Sequence, residues 1–252
     1  KLAMLAGEIM LSNGAETYRV EDTMRRIVNN FGFETSECFV VTTSIISSVE
    51  ENETETVSSV KRIKVRTTNL ERVALVNQFS RDICVKKMDF KEAYKTLKEI
   101  KYKTPYNHKI KILCYGLACF GLTILNNGNF LDALNALIIG LITYRIYYLL
   151  CQKGLSDVLT NLSAGILIGF LTILFTILGL NTENSYDKII IGSIMPYVPG
   201  LLLTNAVRDV VEGDFLSGTA RITDAIMVSV ALASGVGSVL KLWFILKGDF
   251  IL

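Results

Sequence analysis

Long apolar runs dominate the second half of this 252-residue chain and restrict its fold more than any other feature. A helix needs about 20 mostly uncharged residues to cross the hydrocarbon of a bilayer. Five such runs follow residue 109, at 110–126, 131–150, 159–180, 188–207 and 219–245, whereas the earlier residues have a soluble composition. We therefore predict two domains: an α+β cytoplasmic head over 1–106, and an all-α domain of about five transmembrane helices over 107–252.

The fourth run contains two prolines near its middle, in the sequence Met-Pro-Tyr-Val-Pro-Gly. Pro196 and Pro199 each remove an amide donor, and Gly200 adds backbone freedom, so a helix is predicted to break between Pro196 and Gly200. Irregular backbone at membrane depth is tolerated only inside protein or beside a polar cavity. The break, including Tyr197, is therefore our candidate solute site, as in transporters that bind at discontinuous helices.

Positive charge predicts the orientation of the spans. Lys101, Lys103, Lys109 and Lys111 surround the start of the first span, while the next connection, 127–130, carries no positive charge. Cytoplasmic loops are enriched in lysine and arginine. We expect a multi-pass protein of the cell (inner) membrane with its N-terminal head in the cytoplasm and its C-terminus outside.

Polar side chains near the cytoplasmic ends of the spans suggest a route to the break. Ionisable groups within spans are costly and often functional, although groups near the ends can reach the interface. The candidates are Arg145, Asn161, Asn205, Arg208, Asp209 and Asp224, with Asp224 expected to pair with Arg221 or Arg208. We interpret them as a polar vestibule below the break; the alternative is an ordinary ring of interfacial charges.

The head shows helical and strand patterns. Asn13 and Glu16 fit a capping box that would begin a second helix near Gly14, and Gly32 can end it. The β-branched runs 37–49 and 57–66 predict a hairpin joined by the polar segment 50–56. Two further helices are predicted, one capped by Thr68 with Glu71 and one by Asp89 with Glu92.

A dense charged face in the first part of the head contains Glu16, Arg19, Glu21 and Asp22. Glu16, Arg19 and Asp22, together with Tyr18, are candidates for coupling the head to a partner or a gate. The alternative is a solvated face with local pairs such as Glu16 with Arg19. Catalysis is not indicated, because the single histidine, His108, lies beside the membrane and no nucleophile has a neighbouring base. The cysteine spacing suggests no metal, we expect no cofactor, and the mixed charge gives no reason to expect nucleic acid.

The segments 12–24 (Ser-Asn-Gly-Ala-Glu-Thr-Tyr-Arg-Val-Glu-Asp-Thr-Met), 41–45 (Val-Thr-Thr-Ser-Ile) and 195–200, followed by Asn205 and Arg208-Asp209, resemble the threonine/serine exporter family. The resemblance implies the larger subunit of a split exporter, with a smaller membrane partner of the same family. It also implies export of threonine and serine, or of dicarboxylates such as succinate. Carried over by position, it points to Glu16, Tyr18, Arg19, Asp22, Pro196, Pro199, Gly200, Asn205, Arg208 and Asp209.

Our leading hypothesis is a secondary exporter of small polar carboxylates or amino acids, working with that partner or as a homo-oligomer in the lipid bilayer. Free amides near Gly200 would bind a carboxylate. Arg208 or Arg145 would add positive charge, and Asp209 or Asp224 would take an ammonium group or a proton. The alternative is a membrane-anchored sensor or scaffold without transport activity.

Overall fold

The computed structural model describes residues 1–33, 36–51, 55–86, 88–104, 106–181 and 185–248. The chain forms two compact units, each discontinuous in sequence. The first consists of Lys1–Thr104 and Leu201–Thr223, and the second of Pro105–Gly200 and Asp224–Leu252. The domains predicted from the sequence, 1–106 and 107–252, stay a prediction.

The first unit packs helices against one face of a small antiparallel sheet. Its elements are α1 (Leu2–Ser12), α2 (Thr17–Asn30), β1 (Ser36–Val41), β2 (Ser44–Glu51), β3 (Glu55–Arg62), α3 (Leu70–Lys86) and α4 (Phe90–Tyr102). The strands follow the order β1-β2-β3, and Val40 lies opposite Ile45 on the face turned to the core. Ile9, Met24 and Leu97 are fully buried there, so apolar burial holds the helices on the sheet.

The predicted hairpin is a three-stranded meander. The β-branched run 37–49 reads as one strand, but it turns at Thr42 and Thr43, where Val41 pairs with Ser44. Thr43 accepts a backbone hydrogen bond from Ile63 at 2.8 Å, which holds the turn against the end of β3. Of the predicted connection 50–56, residues 52–54 lie outside the described residues.

The predicted helix caps differ from the structure in three places. Asp89 precedes α4 as predicted, but its side chain makes no capping hydrogen bond. Asn13 does not begin α2; its side chain donates to the carbonyl of Ile9 at 2.6 Å, and the helix starts at Thr17. At α3 the capping side chain is that of Asn69, which accepts from the amide of Arg72 at 3.2 Å, and not that of Thr68 as predicted. The predicted end of α2 is confirmed, since Gly32 follows it with a φ of 87° that favours glycine.

The apolar runs form helices close to the predicted bounds. They are α5 (His108–Leu125), α6 (Phe130–Gln152), α7 (Asp157–Ile177), α8 (Tyr186–Ile194), α9 (Gly200–Val211) and α10 (Phe215–Lys247). Among the described residues, four helices, α5, α6, α7 and α10, are long and apolar enough to cross a membrane, or five if the bent pair around the break is one span. The fold is therefore mostly helical with a small sheet.

Small residues allow two of these helices to touch. A methyl group added at Gly165 of α7 would lie 2.3 Å from the carbonyl oxygen of Leu232, and one at Gly235 of α10 would lie 2.5 Å from that of Leu162. Only glycine fits such an approach of two backbones. These glycines therefore pack α7 against α10 within the chain.

Candidate functional site

The fourth apolar run leaves the helical conformation where the sequence predicts. Met195–Tyr197 forms a single 3-10 turn after α8, and Val198 has extended backbone with φ −62° and ψ 131°. Pro199 explains this conformation, because its ring clashes with a helical residue before it. Gly200 begins α9 and does not have a positive φ, so a conformation reserved for glycine is not what breaks the helix.

Four tyrosines form a closed circuit of rings beside this break, within the second unit; we call it the tyrosine ring. Tyr115 of α5 stacks on Tyr144 of α6 with centroids 3.9 Å apart. Tyr144 lies 6.4 Å from Tyr147, which lies 5.4 Å from Tyr197. Tyr197 closes the circuit at 5.6 Å from Tyr115. The break thus presents an aromatic side chain to the two helices that pack against it.

A layer of small polar groups lies one helical turn from the tyrosine ring. Cys119, Thr143 and Ser193 each stand four residues from a ring tyrosine on the same helix face. They lie on one side of the ring, toward the connection between α5 and α6. Ser185 before α8 fixes this direction, since its hydroxyl donates to Asp132 in the first turn of α6 at 2.7 Å.

Three hydroxyls in these two layers are buried without a hydrogen-bond partner among the described residues: those of Thr143, Ser193 and Tyr197. Thr143 and Ser193 are fully buried, and Tyr197 is 8% exposed. A buried unpaired hydroxyl costs about 1–3 kcal/mol. These three hydroxyls make the interior around the break more polar than the apolar helices that enclose it.

Within the first unit, Asp209 of α9 caps helix α2. Its Oδ1 accepts from the amide of Thr17 at 3.2 Å and from the hydroxyl of Thr17 at 2.8 Å. Glu16 occupies the N-cap position but makes no capping hydrogen bond with its own side chain. A carboxylate at a helix N-terminus is favoured by the helix dipole and satisfies an unpaired amide. The start of α2 is therefore completed by a residue 192 positions later in the chain.

Arg221 of α10 neutralises Asp209. Its Nε lies 2.8 Å from Oδ2 of Asp209, at ion-pair distance although not aligned as a hydrogen bond. A second guanidinium nitrogen of Arg221 donates to the carbonyl of Ala15 at 2.8 Å. Asp209 is fully buried and Arg221 is 5% exposed, so each charge depends on the other.

The turn between α1 and α2 also contacts Asn205 and Arg208, two of the candidate residues. Asn205 donates to the carbonyl of Gly14 at 2.9 Å. Arg208 forms an ion pair with Glu16, which also pairs with Arg19 at 3.4 Å as the sequence predicts. Glu16 is 5% exposed, so it does not belong to a solvated face. Asn205, Arg208 and Asp209, expected to line a vestibule, contact the head segment 14–17 in this structure.

The remaining candidates have other surroundings. Asp22 pairs with Arg26 at 2.7 Å on the exposed face of α2, and Tyr18 is half-buried. Asn161 donates to the carbonyl of Asp157 on its own helix at 2.8 Å. Arg145 is exposed on α6, and Asp224 is half-buried on α10. In the described part of the chain, no cluster of three or more His, Cys, Asp or Glu side chains is placed to hold a metal ion.

Comparison with known proteins identifies the family. A family model described as "Putative threonine/serine exporter" (ThrE) matches residues 1–243. The chain belongs to the ThrE family. With its several apolar helices, this exporter family member is a multi-pass membrane protein.

Three relatives match this chain over more than nine-tenths of its length. The chain is 25% identical over 247 residues to "Probable succinate transporter subunit YjjP" of Escherichia coli, covering 96% of this chain and 94% of the relative. The namesake in Klebsiella aerogenes is 24% identical over 243 residues, covering 96% and 93%. "Probable threonine/serine exporter" of Mycobacterium tuberculosis is 23% identical over 240 residues, covering 93% of this chain but 44% of the relative. No solved structure matches the chain.

Sequence reasoning missed the partners that complete these clusters. Thr17 was not singled out, and Arg221 was expected beside Asp224, whereas it lies on Asp209. Of the tyrosine ring, only Tyr197 was a candidate. A signal was present on α6, because Thr143, Tyr144 and Tyr147 fall on one face of an otherwise apolar helix.

Proposed function

We propose that this ThrE family member is the larger subunit of a split secondary exporter for small polar carboxylates or amino acids. The observation that carries the proposal is the broken helix beside the tyrosine ring, where three buried hydroxyls have no partner among the described residues. Discontinuous helices with polar interiors are typical of solute sites in secondary transporters. Transport, rather than catalysis, is the activity we infer.

A smaller membrane subunit of the same family is the proposed partner. Two relatives that match this chain over nearly their full length are named as subunits. A third relative, of which this chain covers 44%, is named as an exporter without the word subunit. This difference in length supports a second component, although further copies of this chain are an alternative way to complete the pathway.

We place the complex in the cell (inner) membrane, with the N-terminal head in the cytoplasm and the C-terminus outside. The lysines around the start of α5 support this orientation. Cys84 lies exposed on α3 in the head and offers a test. In a variant that keeps only this cysteine, an impermeant maleimide should label inside-out vesicles and leave intact spheroplasts unlabelled; the reverse pattern contradicts the orientation.

Labelled serine, threonine and succinate flux in proteoliposomes tests the function, with the chain alone and with its co-purified membrane partner. Pro199→Ala should abolish flux, because Val198 is then free to adopt helical backbone and Tyr197 loses its place in the tyrosine ring. Gly121→Ala on α5 is the control, since its new methyl group meets open space and the residue lies outside the break. Wild-type protein without flux of any solute supports the alternative of a sensor or scaffold. Full flux by Pro199→Ala rules out the break as the site.

A further inference from the structure

The tyrosine ring has a chemistry that narrows the class of solute. The face of an aromatic ring carries partial negative charge and attracts a cation placed over it. Four such rings close a circuit beside the break, with centroids of neighbouring rings between 3.9 and 6.4 Å apart. We propose that this ring is a subsite for the ammonium group of a zwitterionic solute, an inference that rests on the proposed function.

The charges of the second unit favour a zwitterion over a dicarboxylate. Among its described residues, no lysine or arginine is buried. The buried carboxylate of Asp132 is already engaged, since it accepts from the hydroxyl of Ser185 and from the amide of Asn129. A doubly negative solute would thus enter this interior without a cation to compensate it, at a large desolvation cost. A zwitterion carries no net charge and brings its own cation.

The unpartnered hydroxyls match the other end of such a solute. Thr143, Ser193 and Tyr197 each have a hydroxyl free to donate to a carboxylate or to a solute hydroxyl. Thr143 and Ser193 lie one helical turn from the ring, so aromatic faces and hydroxyl donors occupy adjacent layers. Two layers of different chemistry fit a small molecule with an ammonium group at one end and hydrogen-bond acceptors at the other.

L-serine and glycerate provide the sharpest comparison, because glycerate replaces the ammonium of serine by a hydroxyl and keeps the rest. The assay uses proteoliposomes that hold the chain with its membrane partner. Unlabelled serine should halve the flux of labelled serine at a concentration about tenfold below the concentration of glycerate or succinate that has the same effect. Equal competition by glycerate and serine would overturn the ammonium subsite. Robust succinate flux without serine flux would also overturn it, while leaving the exporter itself in place.

Substitutions of single tyrosines separate the contribution of the aromatic face from that of the phenolic hydroxyl. Tyr115→Leu removes the face and should reduce the preference for serine over glycerate to about twofold or less, whereas Tyr115→Phe keeps the face and the preference. Tyr147→Leu and Tyr147→Phe repeat the comparison from α6, should a Tyr115 variant fail to fold. Phe120→Leu, on α5 but paired with Phe130 outside the ring, should retain the wild-type preference. An unchanged preference in both leucine variants would refute the subsite.

Discussion

The buried pair of Asp209 and Arg221 makes the strongest stability prediction. Asp209→Ala removes two charge-assisted hydrogen bonds to Thr17, at 3.2 and 2.8 Å, and leaves the Arg221 guanidinium buried without its carboxylate. Removing one partner of a buried ion pair costs about 3–5 kcal/mol. For a chain of this size, that loss lowers the melting midpoint by about 6–20 °C.

Thermal unfolding of the full chain in detergent, followed by circular dichroism, measures this loss. Asp22→Ala is the matched control, because its pair with Arg26 lies on the exposed face of α2 and should contribute at most about 1 kcal/mol. The double variant Asp209→Leu with Arg221→Met removes both charges, and it should recover about half of the lost midpoint. If Asp209→Ala melts no lower than Asp22→Ala, the assignment of Asp209 as the cap of α2 is wrong.

Two further predictions concern packing and pH. Gly165→Leu should destabilise the contact of α7 with α10 by more than about 2 kcal/mol, because the new side chain meets the Leu232 carbonyl. Gly237→Ala is the control and should melt close to wild type, because its methyl group meets open space. Equal melting midpoints of the two variants would contradict the contact. Burial raises the pKa of Glu21 even though its carboxylate accepts from the amide of Val40 at 2.9 Å. Between the unfolded pKa near 4.5 and the higher folded pKa, the folded state binds more protons, so stability falls as pH rises through that window. Glu21→Gln keeps an acceptor for the amide of Val40. The variant should melt at a higher temperature than wild type at pH 7 but not at pH 4. A higher melting midpoint at pH 4 alone would mean that the pKa of Glu21 is lowered on folding, and would refute this account.

The membrane helices and the break were predictable because both depend on local properties. Length and apolar composition give the bounds of α5, α6, α7 and α10 to within a few residues. The break follows from Pro196 and Pro199, whose steric effects act on adjacent residues alone. Family resemblance also appeared in short segments of sequence, and the match over residues 1–243 confirms it.

The errors lie where local patterns compete or where partners are distant. Val41 to Ile45 is β-branched throughout apart from Ser44, so propensity alone does not reveal the turn at Thr42 and Thr43. Asn13 and Glu16 have the spacing of a capping box, but the cap of α2 comes from Asp209 instead. A single sequence holds no information that joins Thr17 to a residue in α9. The tyrosine ring could not be predicted for the same reason, because it brings together side chains from α5, α6 and the break.

The capping of α2 by Asp209 also bears on how the protein is made. During synthesis the head residues emerge first, yet the carboxylate that completes α2 follows Thr17 by 192 positions. Helices α5 to α8 are made in between, so they enter the membrane before the head has its last contacts. A ribosome-bound chain therefore carries an unfinished head while α5 to α8 are made, and a fragment that stops after α4 lacks both Asp209 and Arg221. The order of translation therefore places the last contacts of the head after the synthesis of α5 to α8 and before that of most of α10.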